Sequence, residues 1–240
     1  MSTRSLALLL ALVATCAFAA APARAAGPSA DYKIEDNPET SCGCGKSPDG
    51  QTVIEQYHKE DKDGWGWRWQ FWARRGETQT LLNTDEDADY PAYFRYTNDS
   101  RWVVRMQKTG SGEASLYLYK LADKGFVSGT KKPLGDLAWA YFKSLPESKK
   151  ARTPDFHISA GLVEGTEQNY RNLGVNWPEN RYIVIGLWGE VEPTEHHHQL
   201  STVRGWHVRY DLETGKFDVP PEFRKENAEA LDRKGERGGS

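Results

Sequence analysis

The sequence predicts a mainly β protein: an antiparallel meander of strands with one inserted amphipathic helix or, as the alternative, a β-sandwich. Three observations carry this. Clusters of Pro, Gly, Asn and Asp recur through residues 47–220, each leading into β-branched and aromatic residues. Those segments resemble one another, so the chain repeats itself. Only one central stretch has apolar residues at helical spacing.

The repeat appears when three segments are set side by side. They are Ser47-Pro48-Asp49-Gly50-Gln51-Thr52-Val53-Ile54, Thr97-Asn98-Asp99-Ser100-Arg101-Trp102-Val103-Val104 and Trp177-Pro178-Glu179-Asn180-Arg181-Tyr182-Ile183-Val184. Each sets an acid and a turn-former before two variable residues and a β-branched pair. After a gap comes an aromatic-rich strand and a second turn: Trp69 to Ala73 before Gly76, Leu116 to Leu121 before Gly125, and Trp206 to Leu212 before Gly215. A tight turn, a buried strand, a loop and a partner strand make a hairpin or meander. The expected units are 47–82, 84–127 and 177–219, with Val53, Val103 and Ile183 at matching buried positions and Trp72, Tyr119 and Tyr210 matched in the partner strands. Between the second and third units, Leu134, Leu137, Ala138, Tyr141, Phe142 and Leu145 keep helical spacing up to Pro146, which predicts a helix over 134–145. Residues 147–153 read as a charged loop. Residues 26–46 read as a flexible leader, and 221–240 as a polar tail with a short helix anchored by Phe223.

Ser47-Pro48-Asp49-Gly50, and the run from Asp89 through Tyr93-Phe94-Arg95-Tyr96 to Ser100 and on to Leu116-Tyr117-Leu118-Tyr119, resemble the blades of TolB-type and WD-type β-propellers. The resemblance implies propeller-like blades. Only three units are visible, fewer than closed propellers have, so it implies an open or incomplete array.

The N-terminus reads as a cleavable secretory signal. Arg4 precedes an apolar run from Leu6 to Ala21, and Ala23 and Ala25 are the small pair before a cut. Thr15, Cys16 and Pro22 interrupt a run already short for a membrane span. The expectation is an exported protein, periplasmic or secreted, with residues 1–25 removed and no transmembrane anchor. Removal takes Arg4 and Arg24 and no acid, leaving 29 Lys+Arg against 34 Asp+Glu. That acidic balance argues against a nucleic-acid partner. Cys16 leaves with the signal, so Cys42 and Cys44 remain and read as a local disulfide suited to an oxidising compartment.

Several constellations invite chemistry. Trp65-Gly66-Trp67-Arg68-Trp69-Gln70-Phe71-Trp72 is a candidate sugar-stacking segment, although alternation makes Trp67, Trp69 and Phe71 a core stripe and leaves Trp65, nearest the loop, as the binding candidate. His196 and His198 share a strand face near Glu190, Glu192 and Glu195. They are candidate metal ligands, but a zinc site needs three or four converging groups, and an exposed hairpin tip, which needs no ligand role, is the expected reading. Asp85, Asp87 and Asp89 alternate as calcium ligands often do, yet Tyr90 stands where the loop glycine of an EF-hand belongs. Gly43-Cys44-Gly45-Lys46-Ser47 lacks the first glycine of a phosphate loop, and Gly110-Ser111-Gly112 reads as a hairpin turn. No catalytic set recurs and no cofactor is implied. The expected role is a non-enzymatic binding or interaction module with a protein or glycan partner. The alternative is a hydrolase acting on an extracellular polymer, its site near residues 190–198.

Overall fold

Two of the predicted turns fold alike, bond for bond. The hydroxyls of Ser47 and Thr97 accept the backbone N–H five residues on, Thr52 at 2.9 Å and Trp102 at 3.0 Å. Each donates to the carboxylate two residues on, Asp49 at 2.5 Å and Asp99 at 2.7 Å. That carboxylate then accepts the N–H of Gln51 or Arg101, at 3.0 and 3.1 Å. The following residue is left-handed in both, Gly50 at φ 70° and Ser100 at φ 60°. Burial alone would raise the Asp49 carboxyl, but the bonds from Ser47, the Gln51 N–H and Arg75 bring it down to about 2. Asp99 is lowered likewise, burial being outweighed by Thr97 and by the backbone and side chain of Arg101. The turns also touch: the Asp49 N–H donates to Ser100 Oγ at 3.0 Å.

The protein is described here by a computed structural model covering residues 27–35, 45–83, 88–163, 181–192 and 200–231. Its strands form three four-stranded antiparallel meanders. The first is β1 (Lys33–Ile34), β2 (Thr52–Glu60), β3 (Trp67–Arg75) and β4 (Thr78–Leu81). The second is β5 (Ala92–Tyr96), β6 (Trp102–Gly110), β7 (Glu113–Ala122) and β8 (Gly125–Ser128). The third is β9 (Phe156–Leu162), β10 (Tyr182–Val191), β11 (Leu200–Asp211) and β12 (Lys216–Asp218). In the first two units the predicted turn segment leads into the second strand; in the third, Trp177 to Asn180 lie outside the described residues and Tyr182 opens the second strand, and in every unit the aromatic segment forms the third. The first unit is a sheet of its own. The other two join at β7, whose last residues pair with β8 while Ala114, near its start, bridges in parallel to Ser159 of β9. Neither sheet closes on itself among the described residues.

The second unit is buried on both faces. Val103 and Tyr119 face the first sheet, packed with Phe71, Phe94 and Phe126. Trp102, Val104, Leu116 and Leu118 face a second core shared with Ile183, Ile185, Leu187 and Trp206 of the third unit. Helix α1 (Leu134–Ser144) fills that second core with Leu134, Ala138, Trp139 and Phe142. Its amphipathic spacing supplies the apolar side, and Pro146 prevents its continuation. Across the first interface the buried Gln56 side chain stands in for a strand partner, donating to the Ala92 carbonyl and accepting its N–H, both at 3.0 Å. Helix α2 (Arg224–Glu229) closes the described chain behind Phe223, which is fully buried.

The structure changes four expectations. Val53 is half-buried while Val103 and Ile183 are fully enclosed, because β2 has one face turned from the cores. Val103 pairs with Tyr119 and Ile183 with Tyr210, but Val53 pairs with Arg74, so Arg74 rather than Trp72 holds the equivalent place. Part of the segment read as a flexible leader forms β1 and packs Tyr32, which is 8% exposed. The third unit begins at Phe156, well before residue 177, since β9 pairs along β10.

Candidate functional site

The β2–β3 hairpin projects an aromatic tip. The strands pair from Thr52 with Arg75 to Glu60 with Trp67, leaving residues 61–66 as the connection. The Asp61 N–H donates to the Gly66 carbonyl at 2.8 Å and the Gly64 N–H to the Asp61 carbonyl at 2.9 Å, which closes the loop on itself. Gly64 adopts φ +70°, a conformation costly for a side-chain-bearing residue. Between the two glycines Trp65 is 95% exposed.

Behind it the stripe grades from surface to core. Trp67 is 50% exposed, Trp69 7% and Phe71 0%. The core reading therefore holds for Trp69 and Phe71 but not for Trp67, which lies where β3 runs past the sheet it covers. The His58 ring meets Trp67 edge-on at 5.0 Å and Trp69 at 4.9 Å, tying the exposed indole to the buried one. On the opposite face Arg68 pairs with Asp61 at 2.9 Å and Asp89 at 2.5 Å. The hydrogen bond from Arg68, and then the Lys62 N–H, hold the Asp61 carboxyl below the usual carboxylate range. Trp65 and Trp67 offer exposed flat faces on which an apolar ring face can stack, while the Asp61–Arg68–Asp89 ion pairs occupy the other face of the strand.

The other sequence candidates are scattered. Asp89 is exposed and engaged by Arg68, while Asp85 and Asp87 lie outside the described residues. His196, His198, Cys42 and Cys44 also lie outside them. Val191 pairs with Leu200, so the histidine triplet belongs to the β10–β11 connection. Among the described residues no three His, Cys, Asp or Glu side chains gather as a metal site, and no helix is long and apolar enough to cross a membrane. Gly110-Ser111-Gly112 does form the β6–β7 hairpin turn, Gly110 pairing with Glu113.

Sequence reasoning missed two features of the third unit. Trp188 is 41% exposed on the outer face of β10, lying over Gly161, Gly186 and Gly205 from three adjacent strands. His157 holds a left-handed backbone, φ 46°, with its Nδ1 2.9 Å from Glu190 Oε2. The signal for the first was the spacing Gly186-Leu187-Trp188-Gly189 with Gly205 in the partner strand; no local signal marks the second.

No family model matches the chain, and no curated protein matches it. Among solved structures it is similar to one from a structural and mechanistic analysis of two prolyl endopeptidases, at 8% identity and a TM-score of 0.29. That likeness covers 73% of this chain and 34% of the other, so the chain spans about a third of that protein's length. At that depth the likeness bears on neither architecture nor activity.

Proposed function

We propose that the protein is an exported recognition module whose three meanders are blades of an open propeller-like array, and that it engages polysaccharide through the β2–β3 tip. The observation that carries this is the 95% exposure of Trp65. An indole buries about 150–250 Å² when enclosed, so leaving it in water forgoes roughly 4–6 kcal/mol of burial. It contributes nothing to this core; its use is to a partner. Asp61 and Asp63, in the same loop, suit sugar hydroxyls and oppose an anionic lipid surface.

The test is co-sedimentation with insoluble peptidoglycan, chitin and cellulose. Wild type is expected in the pellet with at least one, and Trp65→Ala in the supernatant with an unchanged melting temperature. Equal pelleting of both proteins defeats the reading.

A second reading, a hydrolase acting on an extracellular polymer, is favoured by His157 and Glu190. A backbone-strained histidine held by a carboxylate is an arrangement found at reactive sites. Release of reducing ends from a soluble polymer, abolished in His157→Gln, would establish it.

A further inference from the structure

The third unit gives up three side chains to seat one indole. A methyl group on Gly186 would lie 2.4 Å from Trp188 Cη2, and one on Gly161 would lie 3.3 Å from Cζ3. Gly205, at φ +80°, is the extra residue where the β10–β11 register shifts from Leu187–Trp206 to Trp188–Arg204, and a methyl there would sit 3.3 Å from Nε1. Glycine inside a strand costs roughly 0.5–1 kcal/mol relative to alanine. Three of them clear a bed across three strands on which the ring lies, and it is still 41% exposed.

Polar residues flank that ring. Ser159 of β9 and Arg204 of β11 are the residues directly opposite Trp188 on either side, and opposed residues share a face. Two positions along β10, Glu190 is fixed by His157 at 2.9 Å. The other large exposed apolar residues among those described, Ile34, Trp65, Trp67, Tyr93 and Val127, belong to the first and second units. A lone apolar plate in a polar frame does not match a protein interface or a membrane contact, which need contiguous apolar area. It matches a ligand with one apolar face and a rim of hydroxyls.

We propose that Trp188 is the floor of a saccharide subsite: one pyranose ring stacks its C–H face on the indole, and Glu190, Ser159 and Arg204 bond its hydroxyls. The inference rests on the glycan reading above for its ligand class and on none of that reading's residues. The subsite lies on the sheet face, where the tip is a loop.

Saturation-transfer NMR and affinity electrophoresis with chitotriose, cellotriose and maltotriose test it on the full mature chain. The variants are Trp188→Ala, Gly186→Ala, which forces the indole off its bed, and Glu190→Gln, which keeps the ring, its glycine bed and a side chain able to hydrogen-bond His157. Melting curves identify any variant that fails to fold, and Glu190→Gln keeps the test decisive. The expected result is binding of at least one trisaccharide, weakened about tenfold by each variant, a factor of ten being about 1.4 kcal/mol, and retained by Trp65→Ala. Loss in these variants upholds the subsite whether or not the tip reading stands. Loss in Trp65→Ala alone upholds the tip and overturns the subsite. Wild type that binds none of the three sugars, or variants that bind as wild type does, also overturns it.

Discussion

Ser100 does for the second turn what Gly50 does for the first, with a side chain attached, and that difference can be measured. Ser100 is 1% exposed at φ 60°, and its Oγ accepts the Asp49 N–H at 3.0 Å. Ser100→Ala keeps the left-handed backbone and removes the acceptor, leaving a partly buried donor unmatched at a cost of about 1–2 kcal/mol. Ser100→Gly loses the same bond but relieves a left-handed conformation worth about 1–2 kcal/mol, so the two effects nearly cancel. At about 2–4 °C per kcal/mol for a chain this size, the alanine variant should melt a few degrees below wild type and the glycine variant close to it. The complementary Gly50→Ser adds strain with no bond to offset it and should cost about 1 kcal/mol. Urea denaturation checks the free energies independently. If Ser100→Gly proves clearly less stable than Ser100→Ala, backbone strain is not what distinguishes the two turns and the reasoning fails.

Two other outcomes follow from the same units. Val103→Asp and Ile183→Asp each place a carboxylate at a fully enclosed position and should cost about 4 kcal/mol or more, whereas Val53→Asp, at a half-buried site, should cost about 1 kcal/mol; thermal melts rank them. Asp49 is depressed to about 2 in the folded protein against about 3.9 unfolded. Its contribution is therefore present above about pH 4 and lost as pH falls toward 2, so the stability gap between wild type and Asp49→Asn should close over that window in acid titration followed by circular dichroism.

What was legible in the sequence was local. Ser-Pro-Asp-Gly and Thr-Asn-Asp-Ser carry their turns in side chains a few residues apart, and the aromatic strands and α1 declare their periods. Position within the sheet was not legible. Val53 and Val103 hold the same place after matching turns, and only the layering, with β6 covered on both faces, separates their burial. Trp67 continues an alternation that predicts burial, yet the sheet it would cover ends before it. Trp188 depends on glycines from three strands, two of them 27 and 17 positions away, meeting beneath one ring, and no single-strand pattern contains that. The exposed tip was legible because Gly64 and Gly66 mark it directly.

The sharing of β7 between β8 and β9 divides the molecule unevenly. Among the described residues the first unit meets the others by backbone only at the Trp69–Ala88 bridge, whereas those two are laced by backbone into one sheet. Partial opening follows such seams. Opening along this seam swings β1–β4 away, breaking the Trp69–Ala88 bridge and the Gln56–Ala92 and Asp49–Ser100 bonds and parting the core of Phe71, Phe94 and Val103, while the pairing of the remaining eight strands stays intact. Trp65 rides on that looser block and Trp188 on the tighter one, so a polymer held by both would staple the two together and slow amide exchange in a segment it scarcely touches.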